Sequence, residues 1–274
     1  MDTFDYILKL NEIRSNFINR EDHPEPSWIR ITTITMCSSF NRKIDLVKFR
    51  EGLESKCPIR LRNSGSDFEG FEWNLGVPKK NKKGNFYNCV TIWARDFYSV
   101  KNVKIFPNGS IHVSGCSSNM FNCWMVLKHV TWIVSTVMGI EDLQADPPNV
   151  AMINTNFSLN KQVNIKRVIA YFKSDPKFDV SFHPESYSGV KVKFAPEEGM
   201  KEVTSSIFST GRVIVTGART LNEIVQAYKT INEGFARNAE MFGDKLPLKT
   251  EKFDTIMGAK FEEWVRVLNE KNRV

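Results

Sequence analysis

With 274 residues, the chain has room for one large domain or two halves sharing a core. Its 41% hydrophobic and 25% charged residues are ordinary for a soluble globular protein, and a net charge of +7 favours an anionic partner, although such basicity also serves solubility alone. The five cysteines (Cys37, Cys57, Cys89, Cys116, Cys123) are odd in number and hold no Cys-x-x-Cys pair, which argues against a zinc site or a secreted disulfide framework. Reduced, mostly buried thiols in a nuclear or cytoplasmic compartment are expected. The amino-terminal MDTFDYILKL lacks an apolar core of signal-peptide length. The most apolar run, residues 124–138, is broken by Lys128, His129, Thr131 and Ser135, so no transmembrane segment is expected.

Residues 4–17 carry apolar side chains at helical spacing, and DHPEPS at 22–27 ends that segment as a linker. Residues 28–36, rich in Ile and Thr, read as a strand, and 44–53 as a short helix. Residues 57–85 read as an irregular, insertion-like stretch ending in the basic run KKNKKG, either a solvated loop or a phosphate contact. Strands are expected over 87–95 and 100–106, and Pro107-Asn108-Gly109 turns the chain into a third strand at 111–114, because Asn-Gly tolerates the positive φ of tight hairpins. A helix over 118–137 follows, with Met120, Phe121, Trp124, Leu127, Val130 and Ile133 recurring every three or four positions.

The same order then returns. Residues 150–157 read as a strand, 163–172 as a helix, 174–185 as a Pro- and Asp-bearing connection, 187–194, 205–208 and 212–216 as strands, and 222–241 as a long helix. Within this order IFPNGSIHVSGC at 105–116 reappears as IFSTGRVIVTGA at 207–218. The duplication implies an α+β fold with an antiparallel sheet, helices on one face and the other face either wetted or used. The expected layout is a helical arm at 1–27, a first repeat at 28–148 with the 57–85 insertion, a second repeat at 149–242, and a carboxy-terminal extension at 243–274. Residues 253–268 of that extension read as an amphipathic helix with Trp264, Val265 and Leu268 on its apolar side.

The repeated Ile-Phe-x-x-Gly-(Lys/Arg)-x-x-x-Thr-Gly-Ala-(Lys/Arg) pattern resembles the signature of the TATA-box-binding protein family, in a divergent form similar to those of large DNA viruses. Residues 207–219 match it nearly throughout, and 105–117 match more loosely, with Ser110 and Ser117 where basic residues usually stand. The resemblance covers about residues 28–235. It implies a saddle-shaped, curved antiparallel sheet with helices on its convex face, and a soluble intracellular protein of the nucleus or a cytoplasmic viral factory. That family is itself the general example of a sheet that reads the minor groove and kinks the duplex.

Carried over residue by residue, the resemblance places aromatic wedges at Phe106 and Phe208, with partners at Tyr87 and Tyr187. Folding the strands about residues 96–98 and about Glu197-Glu198 brings each pair together. Phe86 is a register alternative to Tyr87, although alternation turns it to the helix-covered face. The family usually has Phe where these tyrosines stand, and a hydroxyl between bases needs a hydrogen-bond partner. The bland alternative is that Phe106 and Phe208 are core residues. Ser114 and Thr216 match the family's paired Thr, and Arg212 and Arg219 its phosphate contacts. Arg30 and Ala151 occupy the places of a central Asn pair, with Asn149 and Asn154 nearby. Apolar groove positions fall on Lys104, His112 and Ser206, while Ile153 and Ile214 remain apolar; His112 is equally readable as a solvated surface histidine.

The resemblance also implies partners. Glu185 matches an acid that meets a TFIIB-like factor, RNA polymerase is recruited, and the protein is a monomer on double-stranded DNA. The first long helix carries only Lys128 and His129 where the family's is basic. No Gly-x-x-x-x-Gly-Lys, His-Glu-x-x-His or Gly-x-Ser-x-Gly motif is present, so neither an enzyme nor a cofactor or metal site is expected. Three readings follow: an A·T-rich promoter-bending initiation factor; a protein of the same fold that binds nucleic acid nonspecifically or docks a protein; and a small-ligand module whose curved sheet closes into a pocket.

Overall fold

The structure is a computed structural model that describes residues 3–17, 20, 23–56, 70–74, 88–95, 100–116, 120–243, 255–256 and 259–260. They fall into two compact units, one spanning Thr33–Ala151 and the other Met1–Thr32 with Met152–Val274, so the cut runs through the first strand.

The unit of the first repeat contains most of β1 (Arg30–Ser39), then α2 (Leu46–Lys56), β2 (Gly70–Asn74), β3 (Val90–Arg95), β4 (Val100–Ile105), β5 (Ser110–Cys116) and α3 (Met120–Met138), with strand order β2-β3-β4-β5-β1, all antiparallel. The second-repeat unit begins with α1 (Thr3–Ser15), then holds β6 (Asn149–Ser158), α4 (Ile165–Lys173), β7 (Asp179–His183), β8 (Tyr187–Phe194), β9 (Val203–Ile207), β10 (Arg212–Ala218) and α5 (Leu221–Arg237). Its strand order is β7-β8-β9-β10-β6. Setting aside α1, the two units have the same order of elements and the same neighbours, so the α+β duplication read from the hairpin motif extends through every strand.

Two strands went unread in the sequence. β2 crosses the stretch expected to be irregular, and β7 the connection at 174–185. Each is a short edge strand of five residues. Asp179-Val-Ser-Phe-His is too short and too polar to announce itself, and only a neighbouring strand supplies its hydrogen bonds.

The repeat motif has a backbone explanation. Its first glycine, Gly109 or Gly211, has φ of +88° or +84°, and an added Cβ would run into Arg42 O or Lys161 O in the segment that follows β1 or β6. The turn is held to that segment by equivalent bonds. Phe40 N–H donates to Gly109 O (2.9 Å) and Ile44 N–H to Pro107 O (2.9 Å), while Leu159 N–H donates to Gly211 O (2.8 Å) and Val163 N–H to Ser209 O (2.9 Å). The second glycine, Gly115 or Gly217, has φ of +96° or +92° and lies beside a register shift in the pairing of β5 with β1, or of β10 with β6. Such shifts bend a strand, and a left-handed residue is the usual means.

Strand alternation sets the two faces. In β8, β9 and β10 the residues Val190, Val192, Phe194, Val203, Ser205, Ile207, Val213 and Val215 are buried under α4 and α5. In the other unit Val90, Ile92, Val103, Ile105, Ile111 and Val113 do the same. α5 starts with a capping box: Thr220 accepts from Glu223 N–H, and the buried Glu223 carboxylate accepts from the N–H groups of Arg219 (2.6 Å) and Thr220 (3.1 Å). α1 packs against α5 rather than standing off as an arm, burying Leu10, Ile13 and Phe17. Arg14 fastens it, donating to Pro26 O at 2.8 Å and lying 4.5 Å over the Trp28 ring.

Two expectations need correction. Cys116 is disulfide-bonded, so a uniformly reduced set of thiols does not hold; Cys37 and Cys89 form no disulfide. In the predicted carboxy-terminal helix, Thr255–Ile256 and Ala259–Lys260 instead pair as a two-stranded antiparallel ladder. Trp264, Val265 and Leu268 lie outside the described residues. Among the described residues no helix is long and apolar enough to cross a membrane.

Candidate functional site

The face opposite the helices carries the predicted site residues, and register lines them up in rows. In the first-repeat unit Cys37, His112, Lys104 and Thr91 are successive cross-strand partners on β1, β5, β4 and β3. Thr35, Ser114 and Asn102 form the next row. In the second-repeat unit the matching rows are Asn156, Ile214, Ser206, Lys191, and Thr216, Thr204, Lys193. The pairings Val90–Ile105–Ile111 and Val190–Ile207–Val213 fix the equivalence, so His112 stands where Ile214 does and Lys104 where Ser206 does.

At the end of the second-repeat face Tyr187 and Phe208 meet edge to face, ring centroids 5.6 Å apart at 64°. Both rings are half-buried. Gly189 lies beneath them, and a Cβ there would sit 2.9 Å from Tyr187 Cε1 and 3.0 Å from Phe208 Cε1. The missing side chain therefore lets the rings settle onto the strand. Phe208 N–H donates to Arg212 O (2.9 Å), which fixes its ring at the hairpin turn.

In the first repeat, the phenylalanine at the equivalent position contacts a histidine among the described residues. Phe106 makes the same backbone bond, to Ser110 O (2.9 Å), but its ring tilts against His112, centroids 4.9 Å apart at 58°. Its expected partner Tyr87 lies outside the described residues, as does the alternative Phe86. Burial, and secondarily the Lys104 ammonium, hold the His112 pKa below its ordinary value near 6.5. His112 is thus packed against an aromatic ring and a lysine rather than freely solvated.

The remaining predicted residues divide. Ser114 Oγ–H donates to Asn102 O and Thr216 Oγ1–H to Thr204 O, both at 3.4 Å, so each hydroxyl offers mainly acceptor lone pairs outward. Arg212, Arg219 and Arg30 are exposed, at the start of β10, just beyond its end and at the start of β1. Ser206 sits on the open face yet is only 5% exposed. Glu185 is exposed in the turn between β7 and β8. Ile153 does not belong to the set. It pairs with Ala218 after the register shift and is 4% exposed on the helix-covered face. By alternation it shares the buried side of β6 with Thr155 and Phe157, whereas the family resemblance alone places it in the groove.

Three residues were missed. Gly189 looked like an ordinary strand glycine, and Lys191 and Lys193 lie on the open face of β8. Alternation of Lys191 and Lys193 with Val190, Val192 and Phe194 could have flagged both. Lys193 is tied to Glu202 at 2.7 Å, and that bond raises its pKa, whereas the Lys191 ammonium rests 5.0 Å over the Tyr187 ring. Among the described residues no group of His, Cys, Asp and Glu is arranged to hold a metal ion.

Residues 147–237 match the family model for transcription factor TFIID, or TATA-binding protein. A TATA-box-binding protein-like protein of Acanthamoeba polyphaga mimivirus is 26% identical over 246 residues, covering 76% of this chain and 65% of that protein, so the chain spans just under two thirds of the relative's length. Among solved structures, Methanococcus jannaschii TBP aligns with a TM-score of 0.48 and 15% identity, over 76% of this chain and 98% of that one. A rolling circle replication initiator protein from Geobacillus stearothermophilus aligns with a TM-score of 0.28 and 12% identity, over 89% and 96%. The chain is thus an α+β protein of duplicated antiparallel units whose second repeat matches the TATA-binding-protein family model. As a whole the chain is similar to divergent TATA-box-binding protein-like proteins.

Proposed function

We propose that this protein is a general transcription initiation factor that binds A·T-rich duplex DNA through the open faces of its two repeats, bends it from the minor groove and recruits transcription machinery. The observation that carries this reading is the Tyr187–Phe208 pair seated on Gly189. Two half-exposed aromatic rings held together at a strand end suit insertion at a base step, where stacking on the rings offsets the few kcal/mol of unstacking. Phe106, with Tyr87, is the corresponding wedge of the first repeat. Arg212 and Arg219 contact phosphates, while Arg30, Lys104, His112, Ser114, Ser206, Ile214 and Thr216 face the groove. Ile153 is left out because it is buried under the helices. Glu185, exposed in its turn, meets a TFIIB-like factor, RNA polymerase follows, and the protein acts as a monomer on DNA in the nucleus or a cytoplasmic viral factory. The test is fluorescence transfer across an end-labelled A·T-rich duplex with wild type and with Phe106→Ala/Phe208→Ala. Loss of bending in the double variant is expected; unchanged bending overturns the wedge assignment.

A second reading has its own observation. Lys104, His112, Ser206 and Lys191 make the open faces more polar and more cationic than an apolar groove reader needs. Such faces suit backbone-dominated, nonspecific nucleic-acid binding. Competition between A·T-rich and G·C-rich duplexes across a salt series separates the two, since a steep salt slope with no sequence preference supports the second.

A further inference from the structure

The two β8 lysines are not equivalent. Lys193 is bonded to Glu202 at 2.7 Å and pairs across the strand with Asp179, so its charge is already answered. Lys191 has no carboxylate partner among the described residues. Its cross-strand neighbours are Ser206 and Ser181, and its ammonium rests 5.0 Å over the face of the Tyr187 ring. The edge-to-face contact with Phe208 and the lysine together hold Tyr187 in place.

We propose that Lys191 is a specificity-determining DNA contact that reads minor-groove acceptors beside the base step entered by Tyr187. This inference rests on the reading that the open face binds duplex DNA. When a base stacks on the Tyr187 ring, it takes the place that the Lys191 ammonium occupies in the free protein. The displaced cation is left within about one side-chain length of the edges of that step. Those edges present the acceptors N3 of purines and O2 of pyrimidines, and a guanine adds a donor amine that repels an ammonium. Lys191 therefore favours A·T pairs next to the wedge by charge, where an aliphatic residue would do so by shape. The first repeat places its equivalent cation one strand away, on Lys104, opposite Thr91, the register equivalent of Lys191.

The test compares the full-length wild type with Lys191→Met and, as a control from the helical side, Lys229→Met. Each is titrated with an A·T-rich duplex and with the same duplex carrying 2,6-diaminopurine for adenine. That substitution adds a minor-groove amine and leaves the phosphates and the major-groove acceptors in place. Wild type is expected to bind the diaminopurine duplex several-fold more weakly, and Lys191→Met to lose most of that discrimination. The slope of log K against log salt should fall by about 0.9 in Lys191→Met and stay unchanged in Lys229→Met. Equal discrimination in wild type and Lys191→Met overturns the inference, whether or not the slope changes, because a slope change alone marks a phosphate contact. A wild type that binds neither duplex removes the underlying reading, and this inference with it.

Discussion

The hairpins Ile105–Cys116 and Ile207–Ala218 share their backbone devices and differ in what they present on the open face. Both turn through a left-handed glycine locked against the segment after the preceding long strand, and both bend at a second left-handed glycine. Both bury Ile and Val beneath helices. On the open face the first repeat sets Phe106 against His112 with Lys104 alongside, while the second sets Phe208 against Tyr187 over Gly189 with Lys191 alongside. Backbone geometry tolerates little variation because a displaced turn loses several hydrogen bonds at once, whereas open-face side chains carry no such bonds of the turn. The comparison teaches that the fold constrains the two repeats equally and that the side-chain chemistry of their open faces has diverged.

The largest effect should come from the shared device. Gly211→Ala is expected to cost about 3 kcal/mol, because it combines left-handed strain with a clash against Lys161 O, and Gly109→Ala should cost nearly as much against Arg42 O. Denaturant midpoints measure both, and a tolerated Gly109→Ala would break the equivalence of the two turns. Gly217→Ala, whose Cβ would meet nothing closer than 3.4 Å, should cost only about 1–2 kcal/mol.

Next comes the aromatic asymmetry. Phe208→Ala should remove more duplex bending than Phe106→Ala, since Gly189 lets Phe208 seat against Tyr187 whereas Cys89 stands at the equivalent position. Single-variant fluorescence transfer reads this, and equal losses would make the two wedges alike. Gly189→Ala should push the Tyr187 and Phe208 rings beyond their 5.6 Å spacing and reduce bending by a smaller amount, with a stability change of about 1 kcal/mol. Cys89, its register equivalent, already carries a side chain, so Cys89→Ala should leave bending unchanged.

The smallest effect is a titration. His112 should titrate below 6.5 by NMR, and Lys104→Met should move it only part of the way back, because burial is the larger cause. The sign for stability follows. With a folded pKa below the unfolded value, the unfolded chain takes up the proton first, so stability is full above 6.5 and declines as pH falls toward the folded value. His112→Gln should flatten that decline, while no equivalent dependence should arise at Ile214.

The duplication, the α+β class and the helix-covered faces were legible in the sequence because they follow from local chemistry. Asn-Gly turns, apolar alternation at Val190-Val192-Phe194 and the Thr220/Glu223 cap each encode their structure within a few residues. The Tyr187–Phe208 juxtaposition was legible too, because a hairpin of known turn position determines which strand ends meet. Ile153 owed its groove assignment to the resemblance alone, and alternation with Thr155 and Phe157 buries it on the other side of β6. β2 and β7 escaped because edge strands acquire their conformation from a neighbour, and the docking of α1 onto α5 depends on contacts distant along the chain. By itself the sequence determined which residues turn, alternate and cap. Only the tertiary structure decided which lysine rests on the Tyr187 ring and which is neutralised, because that choice depends on cross-strand neighbours such as Glu202 and Asp179 that local pattern does not bring together.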